Sequence, residues 1–426
     1  MTALPTSRTP ATTTPAVAAF PGCDVIFVSL ENWDEVWRRN QFLCDALATR
    51  FPASRILFVG PPRDVSSSLR RGQLGALATP GTWTVPEHPN ITVTRPLKWL
   101  PNSLTAGQRC NERLAVRHVR RVARRLGLAS PLLWLNPHHA VSMVGHLGER
   151  AVLYDITDDW TQLDQSSREA RLIASQDADL CRRADAVIVC SEKLFQSKRP
   201  LAPSLHLIPN GVHLAHYATV GDRTRPLPPE AAAWPRPVLG YTGTVHASRV
   251  DVELVEKLAR RFSSGTLALV GPDFLPREVT ARLDALGNVR RVPPVPYARV
   301  PEYMRAFDVC IVPHRVSSFT ESLNPIKLWE YLAAGLPIVS TPVPGFRDYP
   351  QHVYLGADVE SFSAGVAAAL AEDPARRAAR QEEARHHSWD ARVDAVVEVM
   401  AAAVQGRGAP LPRVSANPRG AGAPPP

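Results

Sequence analysis

The sequence lacks the features that would anchor the chain in a membrane or crosslink it. None of its apolar runs approaches the ~18 residues that a membrane-spanning helix needs. Residues 1–20 lack the continuous apolar core of a secretory signal, and they and residues 405–426 are predicted to be disordered tails. Six scattered cysteines without a Cys-x-x-Cys pair indicate neither a disulfide framework nor a zinc site. A reducing cytoplasm is therefore the expected location.

The net charge of +9 first invites a nucleic-acid partner. Four of the arginines counted in it lie in the two tails, which leaves +5 for the residues between them. That part of the chain contains no recognisable nucleic-acid-binding module. A basic protein that works beside an anionic membrane accounts for the charge at least as well. We therefore expect no nucleic-acid partner.

Short apolar runs alternate with amphipathic segments, which is typical of parallel strands joined by helices. The predicted fold class is α/β, with two Rossmann-like, doubly wound domains. The first is predicted over residues 21–215, with strands at 24–30, 55–59, 91–94, 132–135, 151–154, 186–189 and 205–208. The second is predicted over residues 238–388, with strands at 238–241, 267–270, 289–292, 309–312 and 338–341. Residues 216–237 between them are proline-rich and lack apolar periodicity, which predicts an interdomain linker.

The segment Ser317–Gly345, SSFTESLNPIKLWEYLAAGLPIVSTPVPG, predicts a loop, a short helix and a buried strand. Asn324 and the proline after it predict the start of the helix, with Asn324 as a cap, and Gly335 predicts its end. Lys327 and Glu330 then lie three residues apart near the amino-terminal end, where free N–H groups favour an anion such as a diphosphate. Taken alone, the pair is better explained as a solvated ion pair on an amphipathic helix.

The stretch NPIKLWEYLAAGLPIVST resembles the donor-site signature of GT-B glycosyltransferases, specifically bacterial cell-surface polysaccharide enzymes of the group 1 and teichuronic-acid-biosynthesis type. The resemblance implies two domains that face each other across a cleft, and a terminal helix, here 389–404, that packs back on the first domain. It also implies that Glu330 binds the nucleotide ribose and that Asn324 belongs to the donor site. In the wider superfamily a second Glu precedes this one with seven residues between them. Here Ser322 holds that position and Glu321 lies one residue early, which leaves the donor-sugar role of Glu321 open.

The segment Gly240–Arg249, GYTGTVHASR, predicts a strand, a glycine-containing loop and a helix. Gly243 allows the backbone to approach a diphosphate, and Arg249 can neutralise its charge. In many of the resembled enzymes an Arg and a Lys share this task, and Lys327 is the expected second cation here. The expected ligand is a nucleotide sugar, which is a substrate, and no cofactor is expected.

Three carboxylates crowd the end of a predicted strand in YDITDDW, residues 154–160. Like charges at such short range raise the pKa of at least one carboxyl, which suits a general base or an electrostatic stabiliser. A cluster that caps a helix is the structural alternative. YD-x-x-D stretches recur in the resembled enzymes, so Asp158 is the first candidate for catalysis and Asp155 the second.

The loop after the first strand leads into ENWDEVWRRNQFLCDALA, which predicts a helix from Asp34 with Asp34 as its cap. A capped strand–helix unit explains this segment except for the aromatic and polar residues near the loop. The resemblance places the loop beside the acceptor, so Trp33 and Arg38 are candidate acceptor contacts.

Two further loops of the first domain carry candidate residues. In NPHHA, residues 136–140, His138 and His139 follow a strand and precede a helix, where they either cap that helix or contact a substrate. His138 is taken as a catalytic candidate and His139 as an acceptor contact, without a metal, since no third ligand has suitable spacing. In IPNGV, an Asn-Gly turn that needs no function by itself, Asn210 is expected to line the cleft.

A basic helical stripe follows the loop RPLKWLP, residues 95–101. A solvated helix face is the common explanation for such a stripe. The functional hypothesis is that the stripe and Trp99 rest on an anionic bilayer that carries a lipid-linked acceptor. The stripe consists of Arg113, Arg117, Arg120, Arg121 and Arg124.

The sequence therefore predicts a glycosyltransferase that moves a sugar from a nucleotide sugar to a polysaccharide, glycolipid or lipid-linked acceptor. No metal requirement is expected, because the one Asp-x-Asp, Asp177-Ala-Asp179, falls inside a predicted helix rather than after a strand. Two alternatives stay open: a sugar-nucleotide epimerase or hydrolase of the same fold, and a non-catalytic assembly protein that retained it.

Overall fold

Buried apolar runs form the strands of two separate parallel sheets. The computed structural model describes residues 23–70, 72, 81–101, 105–159, 167–222 and 224–406. The two predicted tails lie outside these ranges, apart from residues 405 and 406. Across the described ranges, no helix is both long and apolar enough to span a bilayer.

The first sheet has eight strands, all parallel to their neighbours except in the β4–β5 hairpin at one edge. Its spatial order is β10-β9-β8-β7-β1-β2-β5-β4, and β3 pairs with β6 in a separate ribbon. The strands are β1 (Val25–Val28), β2 (Ile56–Val59), β3 (Arg63–Asp64), β4 (Thr82–Val85), β5 (His88–Thr94), β6 (Leu97–Lys98), β7 (Leu132–Leu135), β8 (Ala151–Ile156), β9 (Ala186–Val189) and β10 (Leu205–Leu207).

Helices cover both faces of this sheet. They are α1 (Arg39–Arg50), α2 (Val65–Arg70), α3 (Thr105–Arg125), α4 (Ser167–Arg183) and α5 (Glu192–Lys198), with a 3-10 turn at His138–Met143. The prediction that the first helix begins at Asp34 is wrong. Asp34 Oδ1 instead accepts a hydrogen bond from Val36 N at 3.0 Å and closes a turn, and the helix begins five residues later.

The second sheet has six parallel strands in the order β13-β12-β11-β14-β15-β16. They are β11 (Val238–Thr242), β12 (Thr266–Val270), β13 (Val289–Val292), β14 (Val309–Val312), β15 (Ile338–Ser340) and β16 (Val353–Leu355). The helices from the linker onward are α6 (Leu214–Ala218), α7 (Pro229–Ala232), α8 (Val252–Arg261), α9 (Arg277–Asp284), α10 (Val300–Met304), α11 (Ile326–Ala334), α12 (Val359–Leu370), α13 (Arg376–Arg385) and α14 (Trp389–Val404). Short 3-10 turns occur at Thr219–Gly221, Tyr297–Arg299 and Thr320–Ser322.

The predicted linker is more ordered than its proline content indicates. It contains α7 and most of α6, and its aromatic residues Tyr217 and Trp234 are buried in the core of the second domain. The segment therefore packs as part of that domain and contributes a side chain to the site described below.

Helix α14 returns to the first domain. Its apolar face shares one core with α1, and the ring of Trp389 stacks on Phe42 with centroids 4.9 Å apart. Nearby, Tyr297 of the second domain stacks on Trp37 of the first with centroids 5.5 Å apart. These aromatic contacts join the two domains beside the crossover of the chain.

Candidate functional site

Helix α11 lies in the core of the second domain with its amino-terminal end toward the first domain. It ends at Gly335, whose φ of 70° is the left-handed conformation that favours glycine at this position. The prediction that Asn324 caps the helix is wrong. Its Oδ1 accepts from Asn210 N at 2.9 Å and its backbone oxygen accepts from Asn210 Nδ2 at 2.6 Å, so it bonds to the first domain instead.

Both carboxylate oxygens of Glu330 are engaged. Oε2 accepts from Lys327 Nζ at 2.6 Å, and Oε1 accepts from Tyr217 Oη at 2.7 Å. Burial and the Glu330 carboxylate raise the pKa of Tyr217 well above its usual range, so this hydroxyl remains a donor. A carboxylate has about four lone-pair sites, which leaves room for further donors such as sugar hydroxyls.

The loop after β11 lies against Lys327. Gly243 has φ of 141°, and a Cβ at this position would lie 3.1 Å from Lys327 Cε and 3.1 Å from Tyr241 Oη. A glycine therefore allows the backbone to approach the lysine closely. The next cation of this region is Arg249, whose guanidinium lies over the ring of Phe319 at 5.4 Å.

Neither Glu321 nor Ser322 offers a free carboxylate to the cleft. Glu321 forms a bidentate ion pair with Arg347 at 2.7 and 2.8 Å, which lowers the pKa of Glu321. Ser322 is buried, and its hydroxyl donates to Phe319 O at 2.8 Å. Its backbone oxygen accepts from Ser191 Oγ of the first domain at 2.6 Å.

The carboxylates of the YDITDDW segment separate into different environments. Asp155 is fully buried in β8, where its Oδ2 is 3.1 Å from Arg39 Nε. Asp158 follows the strand, and its Oδ1 lies 3.6 Å from Arg249 Nη2 of the second domain. Asp159 is buried, and its backbone N–H donates to Ser322 Oγ at 3.4 Å. The structure thus brings Asp158 to Arg249 of the second domain and leaves Asp155 buried against Arg39 of α1.

Glu31 joins this cluster, although no sequence pattern singled it out. It lies three residues after β1, with its Oε1 3.5 Å from Arg38 Nε. Loss of hydration raises the pKa of Glu31 to about 7, and the charges of Asp158 and Asp34 add to this while Arg38 and Arg249 oppose it. The position of an acidic residue three residues after the first strand is the one feature that could have indicated it.

The first domain contains a cavity of about 800 Å³ between α3, α4 and the carboxyl ends of β1 and β2. His138 and His139 both line it. Partial burial lowers the pKa of His138, so its ring is neutral at pH 7, whereas His139 is exposed. The Nδ1 atom of His138 is buried and has no hydrogen-bond partner within the described residues. Further lining residues are Asp64, Lys98, Glu112, Gln176, Met143, Leu172 and Ile173.

Three other predicted acceptor contacts take part in the framework and do not line this cavity. Trp33 packs edge-on against Phe58 with centroids 5.1 Å apart. Arg38 Nη1 donates to Val36 O at 2.9 Å, within its own loop. Asn210 is bonded on every side: besides its two bonds to Asn324, its Oδ1 accepts from Arg39 and its backbone oxygen from Arg392.

The Asp-x-Asp segment lies inside α4, and its carboxylates already have partners. Asp177 accepts from Tyr154 Oη at 2.8 Å and from Lys198 Nζ at 2.7 Å, and Asp179 pairs with Arg183. Among the residues that the structure describes, no group of three or more His, Cys, Asp and Glu side chains is arranged to hold a metal ion.

The second domain matches a known protein family. Residues 236–372 match the family described as glycosyl transferases group 1. The chain is 28% identical over 206 residues to TuaH of Bacillus subtilis (strain 168), named as a teichuronic acid biosynthesis glycosyltransferase. It is 31% identical over 221 residues to a D-inositol 3-phosphate glycosyltransferase of Geodermatophilus obscurus. These matches cover 45% and 47% of this chain and 51% and 47% of the relatives, so the chain spans about half the length of the curated relatives it matches.

Solved structures with this architecture share little sequence with the chain. Sucrose-phosphate synthase from Thermosynechococcus elongatus superposes with a TM-score of 0.66 at 17% identity, over 89% of this chain and 98% of that protein. Anabaena HepE in complex with UDP-glucose superposes with a TM-score of 0.63 at 16% identity, over 89% of this chain and 99% of HepE. The chain therefore has the GT-B fold of glycosyltransferases, and its second domain matches the glycosyl transferases group 1 family.

Proposed function

We propose that the protein transfers a glycosyl residue from a nucleoside diphosphate sugar to a polysaccharide, glycolipid or lipid-linked acceptor, without a metal ion. The observation that carries this proposal is the arrangement at the cleft. Lys327 lies against Gly243 in the second domain, and Arg249, later in the same segment as Gly243, lies 3.6 Å from Asp158 of the first domain. A cationic donor site thus meets an acceptor-side carboxylate.

Each donor-site group has a chemical task in this proposal. Arg249 and Lys327 stabilise the charge that develops on the diphosphate as it leaves, which is the electrostatic help that dominates such reactions. Glu330, held by Tyr217, accepts hydrogen bonds from the ribose hydroxyls. HepE, which has the same fold, is known in complex with UDP and with UDP-glucose, and this supports a nucleotide sugar as the donor.

Asp158 is the candidate for the acceptor side of the chemistry. It lies at the cleft, whereas Asp155 is buried in an ion pair and acts in this proposal through Arg39, as a positioning residue. His138 and His139 line the cavity of the first domain and are proposed to contact the acceptor. An epimerase or hydrolase would need no acceptor pocket, so this cavity favours transfer.

The donor half of the proposal is tested by thermal unfolding of the protein with a panel of nucleoside diphosphate and monophosphate sugars. The panel is run without metal and again with Mg²⁺ or Mn²⁺. A ligand that binds the native state at 100 times its Kd stabilises it by roughly 2.7 kcal/mol. We expect concentration-dependent stabilisation by at least one nucleoside diphosphate sugar, equal in the presence and absence of metal. No stabilisation by any member of the panel would contradict the proposal.

Two glutamate variants provide the matched comparison. Glu330→Ala removes the carboxylate held by Tyr217 and Lys327 and is expected to abolish the stabilisation. Glu321→Ala removes a carboxylate from the same segment that pairs with Arg347 on the surface, and it is expected to retain the stabilisation. The reverse result would show that the donor sugar uses the displaced acidic residue.

We further propose that the first domain rests on an anionic membrane surface on the cytoplasmic side. Trp99 is 52% exposed, and its neighbour Leu100 is also exposed. Both backbone N–H groups donate to Asn111 Oδ1, at 3.1 and 3.2 Å, which holds this apolar tip against α3. Four arginines of the predicted stripe are exposed along α3, namely Arg113, Arg117, Arg121 and Arg124, while Arg120 donates to His146 O.

Sedimentation with vesicles tests this surface. Wild-type protein is expected to sediment with vesicles that contain 30% acidic lipid, a composition chosen for the assay. Each basic residue near such an anionic surface is attracted to it by ~1 kcal/mol. Trp99→Ser and the double variant Arg117→Gln, Arg121→Gln are expected to lose this binding. Phe274→Ser is the control, because Phe274 is 64% exposed in the second domain. Binding that does not depend on acidic lipid would refute the proposal.

A further inference from the structure

The ion pair between Arg249 and Asp158 joins the two halves of the candidate site. Arg249 Nη2 and Asp158 Oδ1 are 3.6 Å apart, and the two side chains are 34% and 18% exposed. A partly hydrated ion pair at this distance is weak. It can therefore be exchanged for a stronger partner.

The proposed donor offers that stronger partner. Lys327 is already bonded to Glu330 at 2.6 Å, whereas the partner of Arg249 lies 3.6 Å away on the other domain. The backbone of Arg249 is fixed, because its carbonyl accepts from Arg315 N at 2.7 Å. A diphosphate carries two negative charges and can bond a guanidinium through two parallel N–H groups, so it competes well with a single carboxylate.

We propose that the diphosphate of the donor displaces Asp158 from Arg249, so that the Asp158 carboxylate becomes available to the acceptor only after the donor has bound. This inference rests on the proposed function. In the empty protein Arg249 neutralises the acceptor-side carboxylate. Donor binding exchanges one anion for another on the same cation, and productive acceptor binding follows it.

Calorimetric titration with UDP-glucose tests the exchange; if UDP-glucose does not bind, the titration uses the panel member that gives the largest thermal stabilisation. Asp158→Asn removes the competitor of the diphosphate and is expected to bind the donor about two- to fivefold more tightly, the effect of an exposed ion pair. Arg249→Gln is expected to bind at least about tenfold more weakly. Asp34→Asn is the control, because Asp34 pairs with Arg38. The affinity of this variant for the donor is expected to stay within twofold of the wild-type value.

Each outcome separates the inference from the function on which it rests. If the wild type binds no member of the panel, the proposed function and the exchange both fail. If the wild type binds a donor but Asp158→Asn binds it equally or more weakly, the exchange alone is refuted. Thermal unfolding of each variant without ligand identifies any loss of affinity that is due to misfolding.

Discussion

Replacing Tyr217 by Phe removes one hydroxyl from the proposed donor site. It keeps the aromatic ring, which packs in the core of the second domain. Tyr217 and Glu330 are 1% and 3% exposed, and their hydrogen bond is 2.7 Å long. A hydrogen bond to a charged group contributes about 1.5–3 kcal/mol, and a buried acceptor that loses its partner costs a similar amount. We therefore expect Tyr217→Phe to lower the free energy of unfolding by about 2 kcal/mol.

The same change is expected to weaken donor binding. Without Tyr217, the Glu330 carboxylate keeps Lys327 as its partner, and the direction of its second oxygen is no longer fixed. A loss of about 1.4 kcal/mol in the ribose contact corresponds to a tenfold higher Kd for the nucleotide sugar. Urea unfolding followed by tryptophan fluorescence measures the first effect, and calorimetric titration with the donor measures the second.

Tyr303→Phe is the matched control for this prediction. Tyr303 also donates to a glutamate, but Glu230 is exposed and water can replace the lost hydroxyl. We expect its effect on stability to stay within about 0.5 kcal/mol, with no change in donor affinity. Unchanged stability in Tyr217→Phe would refute the argument from burial. Reduced stability with unchanged donor affinity would refute the orienting role of the hydroxyl.

Three further tests probe the framework around the site. Arg39→Met and Asp155→Leu should each lower the free energy of unfolding, measured with urea, by about 3–5 kcal/mol, because each leaves a buried charge without its partner. A double variant whose loss equals the sum of the two single losses would refute the pairing. Burial lowers the pKa of His387 to about 4, below about 6.5 in the unfolded chain, so its contribution to stability is present above pH 6.5 and lost toward pH 4. His387→Gln should reduce the change in the free energy of unfolding between pH 7.5 and 4.5 by about 2–3 kcal/mol, measured with urea, and the exposed His386→Gln should not. Parallel pH curves for His387→Gln and wild type would contradict this. Gly243→Ala adds a Cβ at φ of 141°, close to Lys327 of α11. We therefore expect about tenfold weaker donor binding by calorimetry, and wild-type affinity would contradict this expectation.

The parallel strands could be predicted because their buried apolar runs are visible in the sequence. Strands 132–135, 186–189, 289–292 and 309–312 lie where the pattern predicts them. Four strands were missed, and their patterns are weaker: β3 and β6 have two residues each, β4 is an antiparallel edge strand with two exposed residues, and β16 is an edge strand with one exposed residue. A buried strand differs from its surroundings in composition, whereas an edge strand does not.

The contacts that organise the site could not be predicted from local patterns. The bonds Tyr217–Glu330, Asn210–Asn324 and Arg39–Asp155 join residues 113, 114 and 116 positions apart. No helical or strand period extends over such distances, so these partners become visible only when the chain is folded.

The separation of Asp155 from Asp158 has a similar cause. Both belong to one acidic segment, but Asp155 is still within β8, which ends at Ile156, and its side chain faces the core under α1. Asp158 lies beyond the strand and reaches the second domain. The sequence indicated the cluster, and the end of the strand decides which carboxylate faces the cleft.

The central claim is that a nucleotide sugar binds between Arg249, Lys327 and Glu330 of the second domain. A crystal structure of the protein with the donor found in the thermal screen tests it most directly. We predict the diphosphate on Arg249 and Lys327, the ribose hydroxyls on Glu330, and Asp158 no longer paired with Arg249. A nucleotide bound elsewhere, or bound at this site with the Arg249–Asp158 pair intact and no phosphate contact to Arg249, would contradict the account.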